Sequence, residues 1–160
     1  MELATVYVRR LTLADWDVFR QIRLRSLADA PHAFGATLDE ARGRSEEDWR
    51  EILACRTQFL AVAASVMVGT VGVTGEGSEL HLVAMWVAPD ARGTGVADLL
   101  VRAVRDHAAA SGCDRIRLEI VETNTVAERL YARHGFRRTG VRGTVGPDDH
   151  RPELEMVLDL

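Results

Sequence analysis

The sequence predicts a mixed α/β (α+β) fold, because β-rich segments alternate with helical ones in an order that needs both antiparallel and parallel strands. Three apolar runs between residues 59 and 87 are separated by short turns and predict an antiparallel meander. A helical segment then leads to an alternating strand over 115–120, and a strand after such a crossover pairs in parallel with its predecessor. The whole pattern predicts about seven strands and about four helices.

The N-terminal part of the chain is predicted to form one strand and two helices. The strand covers 6–9, and a capping pattern at Thr12 begins a helix that ends near residue 28. A second capping pattern begins the next helix at Ser45. We interpret residues 29–43 between the two helices as loop or irregular turn, and a long connection of this kind often borders a site.

The remaining elements follow from alternation, helical spacing and turn residues. A helix begins at Val96 and is closed by Gly112, and another begins at Asn124 and is closed by Gly135. The polar, glycine-containing stretch 140–152 is predicted to be a loop. The strands of this half are predicted at 59–63, 66–73, 80–87, 115–120, 136–139 and 154–158.

Size and charge exclude several classes of protein. The chain has 160 residues, of which 47% are hydrophobic and 28% charged, as in a soluble protein with one domain over 1–160. A net charge of −4 argues against a general nucleic-acid binder. No apolar run approaches the length of a transmembrane helix, so we expect no membrane partner.

The N-terminus and the cysteines indicate a reducing compartment. The first residues lack the basic and then apolar build of a signal peptide, so we expect a cytoplasmic location. Cys55 and Cys113 are then expected as free thiols. The five histidines show no metal-ligand spacing, and we predict no metal site.

A glycine-containing loop precedes the helix that begins at Val96. Helix N-termini carry N–H groups without internal partners, and small residues let an anion approach them. The loop lacks the lysine of a Walker A motif, and Asp98 stands where a dinucleotide fingerprint needs its third glycine. The string that remains is Arg-x-x-Gly-x-Ala over 92–97. An ordinary strand-loop-helix connection is the alternative.

A second motif follows at the right separation. It reads Asn124-x-x-Ala127-x-x-x-Tyr131-x-x-x-Gly135-Phe136. The two motifs and the order of the elements together resemble those of the GCN5-related N-acetyltransferase (GNAT) superfamily over nearly the whole chain. The resemblance implies a mixed, mostly antiparallel sheet splayed between strands 4 and 5, with acetyl-CoA in the gap.

The resemblance also implies roles for individual residues. Tyr131 would protonate the departing thiolate, and Asn124 would hydrogen-bond the pantetheine arm. Read without the family, Tyr131 could be a core tyrosine and Asn124 a helix N-cap. The implied cofactor contacts are backbone groups of Met85 and Val87 for the pantetheine, and Arg92, Gly93, Thr94, Gly95, Val96 and Ala97 for the pyrophosphate.

Three residues are candidates for the base that takes the proton of the amine. Glu79 and His81 are two apart at the start of the fourth predicted strand and so point to one face. The spacing of Glu79 from Arg92 resembles that of the catalytic glutamate in histone-acetylating members. Glu119 ranks third. A solvated Glu79 and a surface or core His81 are the alternatives.

The acceptor is not named by the sequence. The resemblance implies direct transfer of the acetyl group to a primary amine of a small molecule or peptide, and it favours a homodimer. Segments 23–35 and 140–152 would shape the acceptor site, and the acidic residues Asp148, Asp149 and Glu153 could attract an amine. An inactive acyl-CoA-binding or interaction module of the same fold is the alternative function.

Overall fold

The computed structural model describes residues 5–31, 36–75 and 77–160. Within these ranges, seven strands form one sheet, and five α-helices pack around it. The strands are β1 (Val6–Arg10), β2 (Thr57–Ala63), β3 (Val66–Thr74), β4 (Glu79–Val87), β5 (Arg115–Val121), β6 (Arg137–Gly146) and β7 (Asp149–Asp159). The helices are α1 (Trp16–Asp29), α2 (Leu38–Arg42), α3 (Glu46–Ala54), α4 (Val96–Ala110) and α5 (Thr125–Arg133), with short 3₁₀ turns at Leu13–Asp15 and Pro89–Ala91.

The sheet is antiparallel except at its centre. Its strand order is β1-β2-β3-β4-β5-β7-β6, and of the six strand pairs among the described residues only β4–β5 is parallel. That pair is joined over three register positions, which end at His81 opposite Arg117. In the described parts of the chain no further pair joins the two strands, so they separate from Leu82 and Leu118 onward. The mixed fold splayed between strands 4 and 5 is therefore confirmed.

A bulge in β4 lies beside this separation. The register between β3 and β4 shifts between Gly72, opposite Val83, and Thr70, opposite Trp86, so β4 has one more residue than β3 in that interval. Ala84 lies within it at φ 54°, in the left-handed region that a residue with a side chain seldom adopts. A bulge bends and twists its strand. The bulge therefore lies just beyond the point at which β4 stops pairing with β5.

Helices cover both faces of the sheet. Helix α4 contacts β1 to β5, and a Cβ placed on Gly69 of β3 would lie 3.1 Å from Cδ1 of Leu100 on α4. Gly72 of the same strand points the other way, toward the side chain of Arg56, whose guanidinium lies over the ring of Phe19 on α1. Helices α1 and α3 pack together there, with the rings of Phe19 and Trp49 edge to face at 5.4 Å.

Two stretches predicted as loop contain regular structure. In 29–43, helix α2 forms with a capping box in which Thr37 accepts from the N–H of Glu40. Residues 32–35 of that stretch, and Glu76 of the turn before β4, lie outside the described residues. The prediction of a loop over 140–152 is wrong, because β6 runs to Gly146 and β7 begins at Asp149.

The other elements agree with the predicted pattern. Gly112 follows α4 at φ 73°, as expected of a residue that closes a helix. Both cysteines are free, with Cys55 exposed and Cys113 buried. Within the described residues, no helix combines the length and the apolar character needed to cross a membrane.

Candidate active site

A cavity of about 680 Å³ lies where β4 and β5 separate. Its walls come from both strands, from α5, from the β6–β7 hairpin and from two arginines, one on α1 and one before β2. The hairpin wall belongs to the stretch predicted to shape the acceptor site. Of the predicted site residues, the cavity is lined by His81, Met85, Asn124 and Tyr131, and by the third-ranked base candidate Glu119.

The two strands place a charged network on one face of the sheet. Nε2 of His81 is in hydrogen-bond contact with Oε2 of Glu119, and Arg117 contacts the other oxygen of that carboxylate. Glu79 instead accepts from Nε of Arg117 at 3.1 Å, with its side chain 46% exposed. Among the described residues that line the cavity, His81 and Glu119 are present and Glu79 is not.

Opposing effects act on the carboxyl group of Glu119. Burial raises its pKa, but the hydrogen bond and charge of His81 and the charge of Arg117 outweigh burial, so the pKa lies below its ordinary value. Glu119 is therefore a carboxylate at neutral pH. A carboxylate in contact with Nε2 orients the imidazole ring and favours the tautomer with the proton on Nε2.

Tyr131 lies on α5 at the other side of the cavity. It is 4% exposed, and its ring packs edge to face against Phe136 at 5.5 Å. Burial raises the pKa of the phenol, so the group keeps its proton at neutral pH. Asn124 caps the same helix by accepting from the N–H of Ala127 at 3.1 Å, which leaves the amide N–H groups of its side chain for other partners.

The glycine loop before α4 presents backbone without bulk. Gly93 and Gly95 have φ values of 75° and 92°, and a Cβ on either would have no described atom within 4 Å. Gly95 is the N-cap of α4, and no described side chain caps the helix there. Thr94 donates to the carbonyl of Ala91, which turns its hydroxyl into the loop. These features fit a diphosphate at the helix N-terminus.

The charged residues near this loop are already engaged. Nη2 of Arg92 donates to Asp29 at 2.5 Å and its Nε to the carbonyl of Val87 at 3.0 Å. Asp29 also accepts from Nε1 of Trp86 at 2.9 Å, so it ties α1 to β4 and to the loop. The carboxylate of Asp98, which would repel a diphosphate if it faced the loop, contacts Nε2 of His134 at 2.7 Å.

Two further cavity residues, Arg56 and Glu155, were not among the predicted residues. The cavity is also lined by Arg23, the first residue of the segment 23–35 predicted to shape the acceptor site, and by Glu153, one of the acids expected to attract an amine. Arg23 and Arg56 are half-buried. The strand alternation over 154–158 places Glu155 on the polar face, so the sequence pattern could have identified it as a candidate site residue. Arg56 lies in a connection between α3 and β2, where no periodic pattern indicates direction.

Comparison with known proteins agrees with this geometry. The model of the acetyltransferase (GNAT) family matches residues 18–136. A mycothiol acetyltransferase from Thermobispora bispora is 32% identical over 133 residues, which cover 78% of this chain and 43% of that protein. The chain thus spans less than half of that relative.

Solved structures share the fold over nearly the whole chain. The acetyltransferase of the GNAT family from Streptococcus pneumoniae has a TM-score of 0.82 at 18% identity and covers 98% of this chain and 100% of its own. The yncA acetyltransferase from Salmonella typhimurium, solved with its cofactor acetyl-CoA, has a TM-score of 0.76 at 17% identity over 98% of this chain and 95% of its own. The chain therefore belongs to the GNAT family of acetyltransferases, whose general activity is acetyl-CoA-dependent acetyl transfer.

Proposed function

We propose that the protein transfers an acetyl group from acetyl-CoA directly to a primary amine of a small molecule or peptide, with both substrates bound at once. One observation carries this proposal. The pairing of β4 and β5 stops at His81, and the cavity that begins there is lined by Tyr131, Glu119 and His81. A buried proton donor and a proton acceptor thus border one space that two substrates can share.

The donor would lie along β4. Its diphosphate would meet the free N–H groups at the N-terminus of α4, mostly through the backbone of 93–97. The pantetheine arm would follow the backbone of Met85 and Val87, and the side-chain amide of Asn124 could donate to it. Arg92 would hold the loop in place through Nε and Nη2, which donate to Val87 and Asp29, and its Nη1 would be the donor that faces the diphosphate.

The reaction needs three events at the thioester. The amine nitrogen attacks the carbonyl carbon, so that a C–N bond forms and the C–S bond breaks. The nitrogen loses a proton to a base, and the leaving thiolate receives a proton. Holding the two substrates in line supplies much of the acceleration. Tyr131 is suited to protonate the sulfur, since burial keeps its phenol protonated.

We assign the base to the pair formed by His81 and Glu119. With its Nε2 proton directed at Glu119, a neutral imidazole has its lone pair on Nδ1, which can accept a proton from the amine directly or through water. The resulting imidazolium would be stabilised by the adjacent carboxylate. Glu79 is the weaker candidate because its side chain is more exposed than that of Glu119 and is not among the described residues that line the cavity.

The test combines a turnover assay with matched variants. The purified chain is mixed with acetyl-CoA and a panel of primary amines, and released thiol is followed. Glu119→Gln and His81→Gln should each lower kcat on the order of a hundredfold, while calorimetry finds acetyl-CoA affinity little changed. Glu79→Gln is the control, since it removes the same charge from the same sheet face, and it should have a much smaller effect.

The outcomes separate the alternatives. Absence of both turnover and acetyl-CoA binding would overturn the proposed function. Binding of acetyl-CoA without turnover on any amine would favour an acyl-CoA-binding module. If Glu79→Gln lowers kcat as much as Glu119→Gln does, the base has been assigned to the wrong carboxylate.

A further inference from the structure

Three arginines are among the described residues that line the cavity. Arg142 of β6 is paired with Glu122 at 2.7 Å, and the other two lie toward α1 and β2. Arg23 comes from α1 and Arg56 from the segment before β2, and both line the cavity. Their positive charges act on each other, since burial and then the charges of Arg56 and Arg44 lower the pKa of Arg23 to about 10. An anion between the two guanidinium groups would relieve this repulsion.

The position of Arg56 is fixed by the strands beneath it. A Cβ placed on Gly72 would lie 3.2 Å from Nη1 of Arg56 and 3.1 Å from Cγ2 of Val83, so the guanidinium lies over the Gly72–Val83 register pair. Val83 is two residues from His81 on β4 and therefore on the same face of the sheet. Two strand residues span roughly 7 Å, so Arg56 lies about that far along the strand from His81.

Carboxylates are concentrated at the opposite side of the cavity. Glu155 is the register partner of Glu119, and Glu153 pairs with Val121 two residues further on, so all three carboxylates share one face. Burial and the charge of Glu119 raise the pKa of Glu153, as expected of acids that crowd one another. Apart from the paired Arg142, the cavity therefore has Arg23 and Arg56 toward α1 and three carboxylates toward β5 and β7.

We propose that the acceptor is a small zwitterionic amine, whose carboxylate or other anionic group is bound by Arg23 and Arg56 while its amine faces His81 and Glu119. The inference rests on the proposed function, because it names the substrate class of the same cavity. Planar guanidinium groups bind carboxylates and phosphonates through paired charge-assisted hydrogen bonds. A cavity with separated positive and negative ends also disfavours amines that carry no anion.

The experiment compares amines that differ only in the anionic group. Unbranched amino carboxylates of increasing length, their carboxamides and the aminoalkyl phosphonates of equal length are assayed for kcat/KM with acetyl-CoA. The carboxylate or phosphonate member should exceed its carboxamide by about tenfold or more. The phosphonate arm shows which anionic group the arginines prefer, and the chain length reports the spacing between anion and amine.

Variants then locate the anion. Arg56→Gln should lower kcat/KM for the anionic amine about tenfold to hundredfold, mainly through KM, and have a much smaller effect on kcat/KM for the carboxamide. Arg23→Gln should act in the same direction, with thermal melting as a check on folding. Arg50→Gln is the matched control, because Arg50 is exposed on α3 and paired with Glu46 at 3.6 Å. Arg50→Gln should leave kcat/KM unchanged for both substrates.

A binding measurement decides the inference even without turnover. Calorimetry on protein saturated with CoA should give a lower Kd for the amino carboxylate than for its carboxamide, and Arg56→Gln should remove the difference. Equal Kd values, or a kcat/KM preference that Arg56→Gln leaves intact, would overturn the zwitterionic acceptor while leaving acetyl transfer itself standing. Loss of acetyl-CoA binding in the unmodified chain would instead overturn the proposed function.

Discussion

A negative charge introduced at the N-terminus of α4 should test where the cofactor diphosphate binds, independently of any effect on folding. Gly95 has φ 92° and an open surrounding. We predict that Gly95→Asp weakens acetyl-CoA binding, because the new carboxylate would face the diphosphate. Two negative charges about 6 Å away cost about 1.4 kcal/mol in a water-like medium, which is about tenfold in Kd, and more where water is partly displaced.

The same substitution also strains the backbone. A side chain in the left-handed region costs about 1–2 kcal/mol, which lowers Tm by roughly 2–8 °C in a chain of this size. Gly112 provides the matched control. It has φ 73°, it has no described atom within 4 Å of its Cβ position, and it follows the other end of the same helix.

Calorimetry with acetyl-CoA on both variants is the assay. Gly112→Asp carries the same charge and a similar strain, but it lies about 22 Å away along a 15-residue helix, well beyond the screening length of about 8–10 Å. We expect Kd to rise at least tenfold for Gly95→Asp and to stay unchanged for Gly112→Asp. An unchanged Kd for Gly95→Asp, or an equal rise in both, would refute the placement of the diphosphate.

Three further predictions concern single residues. Tyr131→Phe should lower kcat more than acetyl-CoA affinity; equal turnover at all pH values would contradict its role as proton donor. Asp98→Asn should reduce stability above pH 4 by about 1–2 kcal/mol in urea titrations, because it weakens the contact with His134. The pKa of Asp98 is lowered in the fold, since hydrogen bonds from His134 and Arg133 outweigh burial. The stability difference between wild type and Asp98→Asn should therefore disappear as pH falls through that lowered pKa. A difference in stability that persists at lower pH would contradict this. Gly69→Ala would place a methyl group 3.0–3.2 Å from a carbonyl of Trp86 and two side chains of α4. We therefore expect the free energy of unfolding to fall by about 1–3 kcal/mol, with a lower melting temperature. An unchanged Tm would mean that α4 shifts to accommodate the methyl group.

The sequence was most informative where local chemistry decides the structure. The glycines of the 92–97 loop and the alternation of β5 predicted their elements because backbone freedom and period-2 burial are local properties. The predicted loop over 140–152 failed for a physical reason. The glycines and Pro152 there are weak strand formers, but β6 and β7 pair with each other across them, and β5 supports β7 from its other side.

The site was predicted in part, because its members come from distant elements. His81 and Glu119 each appeared among the candidates, but their contact depends on the register of a parallel pair, which no local pattern specifies. Asp29 was placed at the start of a loop, although it joins Trp86 and Arg92. Arg23 was included only as the first residue of the segment 23–35 expected to shape the acceptor site, and no role was predicted for its guanidinium, which lines the cavity at the end of a long side chain.

The separation of β4 from β5 gives this sheet two edges in its interior. Edges elsewhere invite pairing with other chains, but these two border the opening between the strands, where the cavity lies. Amide hydrogens that point into the opening from Leu82 onward should exchange with solvent sooner than those deeper in the same strands, so the centre of the sheet would be less protected than its flanks. A substrate bound in the opening would cover both strands, and its binding would slow amide hydrogen exchange on β4 and β5 at once.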